Sequence, residues 1–286
     1  MKTAEGYHRF YDAMALDPCL DPIQAVAARP VSSAEHKIYE AVNKPSRANY
    51  VVGMHNEMVG TSAPRYAGFV CFKPAEEGGE FWVLGGNDLF HELDAPLLEK
   101  MQRKRVIFSV VEFPMGFING LAEGLRQPAK DAIKAAVGVA VKLKVDFDVF
   151  FRFVDRGYDG DLALQGYASP QPAVILDPTS QLPVVFCNVH SHSRFLRDYR
   201  QRDLGELQAT TGASQANKTD VSYGDNESLS EEELLEYDRA VMKCVKQVPM
   251  ERGDVILLDN YRTMHGRGTF KGSRHNAVGW FSRLTR

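Results

Sequence analysis

Short apolar runs separated by turn-forming residues dominate the chain. Tyr66 to Lys73 (Tyr-Ala-Gly-Phe-Val-Cys-Phe-Lys) is a nearly continuous apolar run, the pattern of a buried strand. A Glu77-Gly78-Gly79-Glu80 turn follows, and Phe81-Trp82-Val83-Leu84 starts another strand. Lys104 to Glu112 and Phe147 to Phe153 are rich in β-branched or aromatic residues and read as strands. Pro172 to Leu176 and Pro183 to Cys187 read as two strands joined by an Asp177-Pro178 turn. Val255 to Leu258 and Val278 to Leu284 are the last strands.

Helical signals are fewer. Asp88 to Met101 and the Ala- and Lys-rich Pro128 to Lys144 read as helices. Ser230 caps a third, with Glu233 as its capping-box partner. Leu234, Val241, Val245 and Val248 fit one face of that helix. Ser33 to Val42 reads as a short helix, and the chain before it as irregular, broken by Pro18, Pro22 and Pro30. Arg202 to Leu229 is polar, with no periodic apolar face, and reads as a long loop of the lid type. Many short strands with inserted helices predict a mainly β protein, an antiparallel β-sandwich or jelly roll. No boundary divides residues 1–286, so a single domain is expected.

Composition narrows the class. A net charge of -3 offers no basic surface for nucleic acid. No apolar run is long enough to span a bilayer, and the N-terminal residues lack the apolar core of a signal peptide. Cys19, Cys71, Cys187 and Cys244 are widely spaced and form no Cys-x-x-Cys, which suits free thiols in a cytoplasmic protein.

The candidate chemistry lies at the two ends. His55-Asn56-Glu57 puts an imidazole and a carboxylate on the same side of an extended segment. His265 follows a buried strand and Asp259-Asn260, and Arg274 comes nine residues later. Two histidines and one carboxylate on one face of a metal are the ligand set of non-heme Fe(II) oxygenases. A second pair, His190 and His192, is an alternative: on a strand both rings would face one side and join His265 in a three-histidine site. Otherwise Asn188 and His190 line a substrate cavity. Arg194, Arg262 and Arg267 are candidates for a substrate carboxylate or phosphate, or for structural ion pairs. Tyr261, Phe113 and Phe117 are candidates for apolar walls or core.

The run Gly253-Asp254, four aliphatics, Asp259-Asn260 and His265-Gly266-Arg267 resembles the C-terminal signature of the TauD/TfdA-type dioxygenases, which depend on Fe(II) and 2-oxoglutarate. His55-Asn56-Glu57-Met58, Pro64, Phe69 to Phe72, Pro74-Ala75 and Gly78-Gly79-Glu80 are similar to that family's ligand strand and Gly-Gly-acid turn. Asn188-Val189-His190 to His192 and Ser222-Tyr223-Gly224-Asp225 are similar to the branch with syringomycin-type amino-acid hydroxylases. The resemblance implies a double-stranded β-helix (jelly roll), with His55, Glu57 and His265 as iron ligands. It implies Arg274 as the partner of the distal carboxylate of 2-oxoglutarate, and a small organic substrate, an amino acid or natural-product intermediate, oxidised with O2. Hydroxylation, desaturation and ring closure all remain open. Halogenases of this fold lack the carboxylate ligand, so Glu57 implies no halogenation.

One position departs from the family. Phe81 stands where relatives carry a threonine that helps hold 2-oxoglutarate. Asn87, Trp82 and Arg283 are the candidates for a substitute donor. Two other readings follow: an iron oxidase that takes its electrons from the substrate without 2-oxoglutarate, and a catalytically silent jelly roll that binds a ligand or partner.

Overall fold

Alternation of side chains along antiparallel strands builds the frame of the site. The computed structural model describes residues 1–20, 30–41, 43, 48–58, 63–142, 149–155, 161–203 and 219–284. One sheet has the order Val255–Asp259, Tyr66–Lys73, His275–Leu284, Ile38–Glu40, Val31–Ser33, with Leu16–Cys19 also paired to His275–Leu284. A second has the order Lys246–Val248, Phe81–Gly85, Thr263–Arg267, Val52–His55. Every pairing in both is antiparallel.

The apolar residues sort by strand face. Phe69, Val278 and Trp280 of the first sheet cluster with Phe81 and Val83 of the second, which joins the two sheets. The opposite face of the first sheet, with Val70, Phe72 and Ala277, is covered by Tyr7 and Tyr11 of the helix Ala4–Ala13. The opposite face of the second sheet presents Met54, Trp82, Leu84 and Met264 to Leu89 of the helix Gly86–Glu92 and to Leu234, Tyr237 and Val241 of the helix Glu231–Cys244. A third sheet, ordered Val221–Tyr223, Val106–Pro114, Ala163–Ala168, Val149–Val154, packs against the helix Glu123–Lys142 through Phe151, Phe153, Ile133 and Val137.

Several expectations are met closely. The strand Tyr66–Lys73 has the expected bounds. The capping box at Ser230 is formed: Glu233 N donates to Ser230 Oγ at 3.1 Å, and Ser230 N donates to Glu233 Oε2 at 2.8 Å. The hairpin Val174–Leu176 with Pro183–Val185 is present. All four cysteines are free thiols. Apart from these expectations, no helix among the described residues is long and apolar enough to cross a membrane.

Others are corrected. The N-terminal residues are not irregular: Thr3 caps a helix whose buried face, Tyr7 and Tyr11, seals the first sheet. Ser33 to Val42 is not helical, because Val31–Ser33 and Ile38–Glu40 form a hairpin that extends this sheet. The Ser230 helix stops at Cys244, so Val248 belongs to a strand instead. Asp88 to Met101 divides at Leu93-Asp94, where Pro96 can start a second helix, Ala95–Lys104. Much of the expected lid, residues 204–218, lies outside the described residues. Beyond it the expected loop is instead the strand Val221–Tyr223, with Tyr223 fully buried.

Candidate metal and cosubstrate site

Register brings the distant histidines together. His265 pairs with both His55 and Val83 across the second sheet. All three therefore share the face that also carries Phe81. The two imidazole centroids are 4.3 Å apart. His265 Nε2 lies 3.5 Å from Glu57 Oε1. One ligand atom each from His55, Glu57 and His265 lies within 4.8 Å of the other two, and no other cluster of this kind occurs among the described residues.

Local contacts set the ligand orientations. His55 Nδ1 lies 2.9 Å from Gly53 O, a carbonyl that can only accept. Nδ1 therefore carries the proton, and Nε2 keeps the lone pair that a metal needs. Gly53 has no Cβ for a packing reason: one added there would lie 2.6 Å from His190 O, where the helical turn Val189–His192 crosses the strand. The His265 ring stacks on Phe81 at 5.9 Å and 3° and sits 4.7 Å from Phe69, so two aromatic walls fix it. Both imidazoles and the carboxylate are groups that bind Fe(II), and their convergence, with His265 and Glu57 buried and His55 partly so, fits a divalent ion.

Arg274 immediately precedes the strand His275–Leu284 and is 9% exposed. Its guanidinium lies 5.3 Å from the Phe270 ring centroid. Nη1 is buried with no hydrogen-bond partner, and no carboxylate among the described residues pairs with the group. Burial without a counter-ion pulls its pKa down from the usual guanidinium range to about 10. A buried, uncompensated guanidinium is costly, and a bidentate carboxylate is the ligand that best relieves it.

The remaining sequence candidates divide. Arg267 is also buried, 4.8 Å from the Phe270 centroid, and donates to Gly268 O at 2.7 Å and Tyr50 O at 3.0 Å. It therefore shares Phe270 with Arg274. Arg262 is half exposed, and its Nε lies 3.6 Å from Asp177 Oδ2. Tyr261 stacks on Phe186 at 5.2 Å. Arg194 lines a polar cavity of about 500 Å3 with Glu112, Arg152, Gln165, Asp220 and Ser222, apart from the three ligands. Phe117 is exposed, and Phe113 packs against the third sheet's helix.

His190 and His192 sit on a helical turn, not a strand, so their rings do not align. His190 is fully buried and presents neither nitrogen to a cavity. Its Nδ1 accepts from Met54 N at 2.8 Å, and its Nε2 faces Asp238 Oδ1 at 3.0 Å. Arg200 Nη1 donates to the same Asp238 oxygen at 3.1 Å. Asn188 likewise turns to backbone, at Asn56. Among the proposed substitute donors, Asn87 already donates to Pro183 O at 2.7 Å. Trp82 alternates with Phe81 and packs on the opposite face of the strand. The side chain of Arg283 lies outside the described residues. No local pattern in the sequence marks the roles of Asn56, Asn260 and Asp238. Asn260 stood inside the Asp-Asn pair of the C-terminal signature, but nothing in the sequence says where its amide points.

Burial, with Arg200 alongside, lowers the His190 pKa to about 4, while Asp238 opposes the shift. The unfolded chain then takes up the extra proton between about 6.5 and that value. Stability is complete above this window and falls as pH drops through it. Melting temperature should decline from about pH 6.5 towards pH 4, and His190→Gln should flatten the decline. Parallel curves for the two proteins would rule out His190 as the source.

Two imidazoles, that of His265 buried and that of His55 partly so, meet one buried carboxylate on a face between antiparallel sheets, which is the ligand set of a non-heme iron centre. The chain belongs to the TauD/TfdA family: residues 4–280 match the family described as "Taurine catabolism dioxygenase TauD, TfdA family". No curated protein matches the chain by sequence. Among solved structures, PvcB, described as an Fe, alpha-ketoglutarate dependent oxygenase from an isonitrile synthetic pathway, is 13% identical with a TM-score of 0.48 and covers 98% of this chain and 71% of its own. A taurine dioxygenase from Burkholderia xenovorans is 12% identical with a TM-score of 0.48, over 97% of this chain and 71% of its own. Asparagine oxygenase, solved with Fe(II), 2S,3S-3-hydroxyasparagine and succinate, is 11% identical with a TM-score of 0.47, over 86% of this chain and 56% of its own.

Proposed function

We propose that this protein is a single-domain, jelly-roll oxygenase that uses Fe(II), 2-oxoglutarate and O2 to oxidise a small organic molecule. The observation that carries the reading is Arg274: a buried guanidinium with an unpartnered Nη1 and no carboxylate pairing with it among the described residues. His55, Glu57 and His265 hold the iron. When bound, iron and 2-oxoglutarate supply O2 activation, with release of succinate and CO2.

The chain's own residues do the rest. Arg274 binds the distal carboxylate through paired charge-assisted hydrogen bonds and orients the cosubstrate. The His55 Nδ1–H bond to Gly53 O keeps Nε2 available for the ion. Phe69 and Phe81 fix the His265 ring and exclude water from its flank. Arg262, half exposed beside Asp177, is the remaining candidate for an anionic group on the substrate. An amino acid or natural-product intermediate is the expected substrate class, and hydroxylation, desaturation or ring closure the outcome.

Metal analysis of the purified protein, followed by succinate measurement with Fe(II) and 2-oxoglutarate, tests the proposal. Iron bound with succinate formed is the expected result. Iron without succinate favours the oxidase, a reading that Phe81 motivates because its ring replaces a hydrogen-bonding hydroxyl. No metal bound at all favours a silent binding protein. Chlorinated product formed in chloride buffer would contradict the role of Glu57 as a ligand.

A further inference from the structure

We infer that Asn260 and Asn188 form a clamp that positions Glu57 for the metal; this rests on reading His55, Glu57 and His265 as its ligands. The strand Val52–His55 ends at His55, so Asn56 and Glu57 lie beyond its ladder. Their backbone groups still need partners, because both residues are almost completely buried. Side chains supply them. Asn260 Oδ1 accepts from Glu57 N at 2.8 Å, and Asn260 Nδ2 donates to Glu57 O at 2.8 Å and to Pro64 O at 2.9 Å. Asn188 repeats the arrangement one residue earlier. Its Oδ1 accepts from Asn56 N at 2.9 Å, and its Nδ2 donates to Asn56 O at 3.2 Å.

Each carboxamide therefore meets one residue's N–H and C=O together, as a neighbouring strand would. Asn56 closes the set. Its Nδ2 donates to Asn260 O at 2.7 Å and to Thr263 O at 3.3 Å, which ties the segment to the strand carrying His265. The amide orientations follow from the partners, since a backbone N–H only donates and a carbonyl only accepts. Few other side chains do this. Aspartate keeps an acceptor but turns an oxygen against Glu57 O and Pro64 O. Alanine leaves the buried groups of Glu57 unmet. The clamp fixes the Glu57 backbone and so presents its carboxylate 3.5 Å from His265 Nε2. Asn188 and Asn260 are positioning residues, acting on the metal only through Glu57.

Co(II) affinity tests this by a double-mutant cycle, using the metal alone as probe. Asn260→Ala should bind Co(II) about tenfold to a hundredfold more weakly than wild type, the range for groups that orient a ligand. In a Glu57→Ala background the same change should have almost no further effect, because its route to the metal is gone. Equal losses in both backgrounds would mean general loosening and overturn the clamp, as would wild-type affinity in Asn260→Ala. Asn188→Ala runs the same cycle if Asn260→Ala does not fold. Wild type and His265→Ala binding Co(II) alike would remove the ligand assignment itself. Loss in His265→Ala without loss in the asparagine variants would remove only the clamp.

Discussion

His55→Ala, Glu57→Ala and His265→Ala are each expected to weaken Fe(II) binding by at least about a hundredfold, beyond the usual effect of changing groups that merely orient a ligand. Titration of Fe(II) under anaerobic conditions measures this. His55→Ala and His265→Ala should differ in stability. His265 is 4% exposed and packed between Phe69 and Phe81, so its removal leaves a cavity. Loss of a large buried side chain costs roughly 2–5 kcal/mol. His55 is only partly buried, so its alanine variant should melt close to wild type and gives the cleaner metal measurement. Tight iron in a His55→Ala/His265→Ala double variant would refute the site. His190 is a poor substitute in that event, since both its nitrogens face protein groups.

Arg274→Ala should abolish turnover at ordinary 2-oxoglutarate concentrations. Two hydrogen bonds to a charged group, at roughly 1.5–3 kcal/mol each, correspond to a loss in cosubstrate affinity of about a hundredfold or more. Arg274→Lys should recover little, because an ammonium cannot make the paired bonds. Burial opposes the charge here, and lysine yields its proton more readily than arginine under that pressure. The succinate rate against 2-oxoglutarate concentration gives the comparison. The effect should fall on the concentration requirement, with iron affinity unchanged. Phe81 sharpens the expectation. With Asn87 committed to Pro183 and Trp82 on the far face, the proposed role of Arg274 should leave it most of the cosubstrate's binding, with no hydroxyl from Phe81 to assist.

Much of this site was legible in the sequence because it depends on local spacing. His-x-Glu on extended chain needs only a period of two, and the Gly253-Asp254 to Arg267 run marks a strand with its turn, although that strand lies at a sheet edge and is only partly buried. Tyr66–Lys73 was legible because an unbroken apolar run needs cover on both faces. What the sequence hid depends on long-range pairing. Residues 31–40 carry no strong strand signal and become a hairpin because the edge of the first sheet recruits them. His190-Ser191-His192 has the spacing of a strand pair, but it forms a helical turn wedged over Gly53. Asn188 reads in the sequence as a residue lining a substrate cavity, yet its carboxamide is taken up by the backbone of Asn56. An amide that serves a backbone 132 positions away leaves no mark in its own neighbourhood.

The most direct test is titration of 2-oxoglutarate into the Co(II)-loaded protein, where binding is read without turnover. One 2-oxoglutarate should bind per chain, with affinity that falls sharply both when the metal is withheld and when Arg274 is replaced by alanine. Metal-loaded wild type that takes up no 2-oxoglutarate, or an Arg274→Ala variant that binds it as tightly as wild type, would contradict the account.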